Sequence, residues 1–301
     1  MTTDRIEAIE YTDAVCSTAW GAEPLLRRLD WRHGHHLTWR KVMGGLVGNA
    51  AAGKDDWDRV GAAVPMRAYW KRVWALTGMP YPNPMHLMLQ STDPLGQAVK
   101  AAELQGQAVA HAVLRRFREQ IFIFGLGPQT PDEFDAATQG VPGLDHRRWR
   151  ADQASEAVAA AYRADWEETR APNDHVRNLK HDSPMNGELK HSEGHDRYAL
   201  PTVIFRGPNG DHTVAGWVGY EEYVAGLEAA LPGAAADPRP DPTPEQAFDR
   251  WPVLTAKELA FLCGEHAQPP AEVVAYDWGD GLVYFAPAEA RARGLTESAP
   301  A

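Results

Sequence analysis

The first 45 residues change their hydrophobic period twice. Arg5 to Tyr11 is an apolar-rich run of strand length, and Leu37 to Met43 alternates loosely before Gly44-Gly45 ends it. Between them, Trp20 to Leu29 carries helical spacing, with Pro24 in the first turns, where proline costs least. Strand, helix, strand predicts a parallel βαβ start, because parallel pairing needs a crossover.

The middle of the chain is patterned for helices. Over Asp56 to Thr77, the side chains of Met66, Tyr69, Trp70, Val73 and Trp74 recur at i, i+3 and i+4 and form one core-facing stripe. Pro80, Pro82 and Pro84 make a rigid connection. Helices are predicted over Asp93–Leu104, Gln107–Phe122 and Pro131–Ala137, and a long alanine-rich one over Ala151–Thr169. Asn173 to Arg197 is polar and almost aperiodic. Thr202–Phe205 and Thr213–Trp217 then read as a hairpin across Gly207-Pro208-Asn209-Gly210, and Tyr220–Leu231 as a closing helix. A Pro/Ala/Asp-rich linker spans 232–244. Beyond it come helices over Glu245–Trp251 and Thr255–Cys263, the second with a Thr255/Glu258 capping box, then Ala271–Tyr276 and a short strand, Leu282–Phe285. The organisation expected is α/β: a main domain over 1–231 with a helical insert at about 50–180, and a small helical, winged-helix-like module over 245–301.

Composition narrows the function. Of 301 residues, 44% are hydrophobic and 24% charged, enough for a sizeable core. The formal net charge of -11 disfavours nucleic acid and anionic membranes as partners, and no stretch approaches the ~18 apolar residues of a membrane span. The amino-terminal residues lack a signal-peptide pattern, so a cytoplasmic location is expected. Cys16 and Cys263 are the two cysteines, which excludes a disulfide-stapled scaffold. Cys263 lies in an apolar helical patch and is expected in the core.

Cys16 falls where the first strand gives way to the first helix. A thiol there meets free backbone N–H groups and the positive end of the helix dipole, which favour the reactive thiolate. The alternative is a small buried hydrophobe. Ser17 and Thr18 offer hydroxyls beside the sulfur or caps for the first helical turn.

The stretch Thr12-Asp13-x-x-Cys16-x-x-x-Trp20-Gly21-x-Glu23-Pro24 resembles the active-site region of the DsbA-like branch of the thioredoxin superfamily, particularly cytosolic FrnE- and YjbH-type proteins. Trp39–Leu46, Ala98–Gly106 and Leu200–Phe205 resemble further pieces of that family in the same order. The resemblance implies a thioredoxin-like fold with a large helical insertion. It also implies that Pro201 is cis and lies beside Cys16, that Leu200 offers backbone groups to an extended substrate, and that Trp20 and His86 face the substrate. Ala19 departs from the pattern, standing where a C-x-x-C protein has its second cysteine. That second thiol normally resolves the mixed disulfide.

Three functions follow. The first is a monothiol oxidoreductase or isomerase using Cys16, acting on a thiol-containing protein, with a low-molecular-weight thiol as the only cofactor in view. The second is a non-enzymatic, protein-binding adaptor of YjbH type. The third is a thiol-dependent small-molecule isomerase or transferase related to the kappa-type glutathione transferases. Twelve histidines add a separate theme. His33, His35 and His36 precede the second strand on an expected exposed loop. His181, His191 and His195 lie in the polar stretch, where His191-x-x-x-His195 has metal spacing on a helix, but Gly194 and the missing H-E-x-x-H favour a solvated loop and no metal.

Overall fold

Strand β1 (Ile6–Thr12) is buried on both faces, and the rest of the molecule is arranged around it. The computed structural model describes residues 5–48, 63–81, 91–180, 185, 187–192, 194–277 and 281–295. Ile6 and Ala8 face one apolar cluster, with Leu25 and Leu29 from helix α1 (Ser17–His33). Ile9 and Tyr11 face another, with Cys16, Val42 and Leu200. Successive side chains leave a strand on opposite faces, so a strand covered on both sides is apolar without a break. Strand β2 (Leu37–Met43) pairs with β1 in parallel, in the register Ile6↔Leu37 to Thr12↔Met43.

Between β2 and the next sheet strands the chain is helical: α2 (Ala63–Thr77), α3 (Asp93–Glu103), α4 (Gln107–Phe122), α5 (Pro131–Ala137), α6 (His146–Gln153), α7 (Glu156–Thr169) and α8 (Asp174–Asn178). The predicted helix over Ala151–Thr169 is two helices. Ser155 breaks it because its hydroxyl caps the Val158 N–H and starts α7 afresh. The Asp56–Thr77 prediction begins outside the described residues and is met from Ala63 onward.

The polar stretch contains α8 and a hairpin, β3 (Lys190–Ser192) with β4 (His195–Arg197). His191 and His195 therefore do not share a helix face. His191 pairs with Asp196, 3.1 Å away, and His195 packs edge-on against Trp166. His181 lies outside the described residues. Strands β5 (Thr202–Gly207) and β6 (Gly210–Ala215) complete an antiparallel half, giving the order β2-β1-β5-β6, and α9 (Tyr220–Ala230) packs behind β5 and β6 with α1.

The run after α9 is held rather than loose. Trp31 donates to the Pro240 carbonyl, Arg28 and Arg32 pair with Asp241, and the Arg239 N–H reaches the Arg32 carbonyl. Beyond it come α10 (Pro244–Arg250), β7 (Val253–Thr255), α11 (Ala256–Cys263), β8 (Val274–Asp277), β9 (Leu282–Phe285) and α12 (Pro287–Ala292), the strands forming an antiparallel sheet in the order β7-β9-β8. Val253, Val283 and Phe285 belong to the same apolar core as Trp20, Phe117 and Phe122. The Thr255/Glu258 capping box is present at α11.

Candidate functional site

Cys16 is the N-cap of α1. Its sulfur accepts the Ala19 N–H at 3.4 Å and its thiol donates to the Leu200 carbonyl, also at 3.4 Å. Leu200–Pro201 is a cis peptide, and the Leu200 carbonyl brings the loop before β5 against the sulfur. The cap uses the sulfur itself rather than the Ser17 or Thr18 hydroxyl. Thr18 Oγ1 instead meets Tyr69 Oη of α2 at 3.1 Å, and the Ser17 carbonyl accepts from Tyr81 Oη at 2.7 Å. Two tyrosine hydroxyls from the helical insert thus cover the first turn of α1. The aromatic spacing of α2 predicted a core-facing Tyr69 but not this polar use.

The electrostatics of the thiol also differ from expectation. Cys16 is 5% exposed, and burial pushes its pKa up to about 11. The Ala19 N–H pulls the other way, while the carboxyl of Asp13 adds to the rise. Helix-terminus placement alone predicts a lowered pKa. In this fold desolvation outweighs the Ala19 N–H and the positive charges of Arg118 and Arg197. The Arg118 guanidinium is engaged by Glu23, Thr12 and the Asp13 carbonyl. The sulfur is a protonated hydrogen-bond donor in a closed site.

Trp20, which the resemblance turns toward the substrate, is fully buried. Its indole N–H donates to the Pro80 carbonyl at 2.8 Å, its ring stacks on Phe122, and the Arg115 guanidinium lies 4.4 Å from its centroid. It joins α1 to the insert. Next to it, a Cβ on Gly21 would lie 2.5 Å from Thr77 Cγ2, so the Trp-Gly pair lets α1 and α2 approach closely. His86 lies outside the described residues. Asp13 was a motif residue without a role. Its carboxylate accepts the Val15 and Leu46 N–H groups at 3.0 and 2.8 Å and the Thr92 hydroxyl at 3.3 Å, tying the cysteine loop to the turn after β2 and to the start of α3.

Behind this site runs a buried ionic assembly that the sequence pattern did not reveal. Lys41 pairs with Glu10 across β1 and β2, and Arg118 of α4 reaches Glu23 and Glu10. Arg115 binds Glu258 of α11 through two bonds of 2.8 and 3.0 Å and also Glu119 at 2.8 Å, while Arg27 lies 3.2 Å from Glu258. Arg293 and Arg116 close the far end on Glu119 and Glu289. Burial opposes ionisation of Glu23 and Glu119. The guanidiniums win: Arg118, Arg115 and Arg27 hold Glu23 well below the usual carboxylate range, and Arg293, Arg115 and Arg116 hold Glu119 at about 2.

Cys16 and Cys263 are both free, Cys263 being half-buried on α11. A cleft of about 700 Å³ opens between α8, β6 and α9, with Asp174, Asp211 and Glu222 among its walls; Cys16 is not among them.

A thioredoxin family model matches residues 10–173, more than half of the chain, from β1 through the Asp13–Cys16 loop to the insert. The chain belongs to the thioredoxin family. As a thioredoxin-family protein it carries one thiol, Cys16, at the DsbA-like active-site position, on a central sheet surrounded by helices. Among the curated relatives is the ClpXP adapter protein SpxH of Shouchella clausii, 26% identical over 292 residues, covering 91% of this chain and 87% of that protein. A match of that extent takes in part of the segment after Thr243. Among solved structures, a Nitrosomonas europaea protein assigned as a disulfide isomerase superposes with a TM-score of 0.55 at 13% identity, covering 76% of this chain and 98% of that one. A Streptomyces coelicolor protein assigned as a DsbA oxidoreductase gives a TM-score of 0.50 at 15% identity, over 76% and 91%. These two share the thioredoxin fold of this chain. No helix among the described residues is long and apolar enough to cross a membrane.

Proposed function

We propose that this DsbA-like thiol protein works by holding a protein partner, as an adapter for a ClpXP-type protease in the cytoplasm, with Cys16 as a protected thiol. The observation that carries this reading is the state of the sulfur. It is buried, protonated and bonded to the Leu200 carbonyl, with Ala19 in place of a resolving thiol. The SpxH relatives support the same reading, since one alignment extends beyond Thr243. In this view the residues before 232 and after 244 are two parts of one binding body, joined by the buried pairs of Glu258 and the strapped linker.

Monothiol exchange by Cys16 is the second reading, favoured by the seat of the sulfur on the N-terminus of α1 against Pro201. Displacing the Leu200 carbonyl would leave the sulfur facing the Ala19 N–H, the environment that stabilises a thiolate. Ser17, Thr18, Leu200 and Pro201 would then surround the mixed disulfide, and a low-molecular-weight thiol would have to resolve it.

One experiment separates the two. The purified chain is tested for binding to ClpXP and for faster degradation of proteins that co-purify with it, with wild type and Cys16→Ser side by side. An adapter keeps both properties in Cys16→Ser. If both vanish, and wild type forms mixed disulfides that glutathione releases, the exchange reading takes over.

A further inference from the structure

The histidines before β2 are not on an exposed loop. Gly34–His36 forms a tight 3₁₀ turn at the C-terminal end of α1. His33 is buried, its Nδ1 3.1 Å from the Ala234 carbonyl, and so it fixes the start of the linker beside this turn. His36 is only 8% exposed, and neither of its ring nitrogens has a hydrogen-bond partner among the described residues. His35 Nδ1 is unpartnered as well, while its Nε2 lies 3.5 Å from Asp237 Oδ2. The two rings stand 4.0 Å apart, and one donor atom each from His35, His36 and Asp237 lie within 4.8 Å of one another.

A neutral imidazole has one N–H and one lone pair, and native interiors rarely leave both unmet. We propose that His35, His36 and Asp237 form a site for a divalent transition-metal ion of the zinc class. Two imidazoles and one carboxylate are a borderline donor set, suited to zinc or its neighbours rather than to magnesium or calcium. Tetrahedral ligands at about 2.0–2.1 Å from zinc sit roughly 3.4 Å apart, so the cluster must contract by about an ångström. Asp237 can supply that movement, because its side chain is 78% exposed. The nearby charge of Arg32 is met by Asp241 at 3.0 Å. Three protein ligands leave a fourth position for water. The ion would pin the linker to the junction of α1 and β2, at the end of α1 opposite Cys16.

The test uses the full untagged chain, stripped with chelator and titrated with zinc sulfate by calorimetry, with metal content measured after dialysis. One equivalent is expected in wild type and a rise in melting temperature with it. Asp237→Asn and His35→Ala should each weaken binding by more than about tenfold. His36→Ala should do the same but removes a buried ring, so the exposed Asp237 decides the matter. A His191→Ala/His195→Ala double variant should bind like wild type. The proposal is overturned if wild type binds no zinc in the micromolar range, or if Asp237→Asn and His35→Ala leave affinity and stoichiometry unchanged. Ordered water on His36 would then account for the unpaired nitrogens.

Discussion

Cys16 and Glu23 lie seven residues apart on one helix, and burial pushes both toward their neutral forms. They end on opposite sides. The sulfur has a backbone N–H, a backbone carbonyl and two covering tyrosines, and stays protonated. The carboxylate has Arg118, Arg115 and Arg27, and stays ionised. Depth in the protein therefore does not set the charge of a group in α1; the partners delivered by α4 do. The same helix that resembles an active-site helix at its first turn is a structural joint at its second.

The largest effect should come from removing the partner that both sites share. Arg118→Ala leaves Glu10 and Glu23 short of a cation in the interior and should cost about 3–5 kcal/mol, read as a lower urea midpoint at unchanged slope. A cost no greater than that of a surface ion pair would mean that the assembly contributes little and that the contrast with Cys16 is only geometric.

Acid should come next. Glu23 and Glu119 have lowered folded-state pKa values, so their contribution is complete above the ordinary carboxylate pKa of ~4.5. It is lost as pH falls toward the value of about 2 for Glu119. Buried Asp13 is raised instead and acts with the opposite sign, gaining a proton on folding where Glu119 releases one. Thermal melts between pH 7 and 2.5 should show a net fall in this window, shallower in Arg118→Ala.

The thiols give a smaller effect, on rate rather than stability. Both have pKa values of about 11, so at pH 8 each is on the order of 0.1% thiolate and access decides. Iodoacetamide should label half-buried Cys263 before buried Cys16, with site-resolved mass spectrometry as the readout. Faster labelling of Cys16 would show that the Leu200 contact opens readily and would move the exchange reading forward. Smallest of all, Arg163→Ala, which breaks an exposed pair with Glu156, should leave the unfolding midpoint where it is.

Much of the fold was legible in the sequence. The second strand and helices α4 and α5 lie where hydrophobic period, proline and glycine place them. The misses have physical causes. A run such as Val253–Thr255 is too short to show a period, and the three-residue strands of the β3–β4 hairpin are polar on both faces. The ion pairs of Arg115, Arg118 and Glu119 could not be read from the helix, because spacing along one helix does not say which carboxylates another helix brings. The pKa of Cys16 was misjudged for a related reason. The favourable helix terminus is visible in the sequence, whereas its closure by Leu200, Tyr69 and Tyr81 depends on distant residues.

The strand order has a consequence during synthesis. β1 is central, yet its second neighbour, β5, begins almost two hundred residues later, in the register Tyr11↔Thr202 to Glu7↔Arg206. At roughly 5–20 residues per second, the ribosome leaves one edge of β1 unpaired for about ten seconds or more after β2 is made. A bare, apolar strand edge invites pairing with other chains. Helix α4, whose Arg118 pairs with Glu10 of β1 in the finished fold, is synthesised in that interval. A nascent chain ending before β5 should therefore engage holdase chaperones, and release should follow once residue 207 has cleared the exit tunnel.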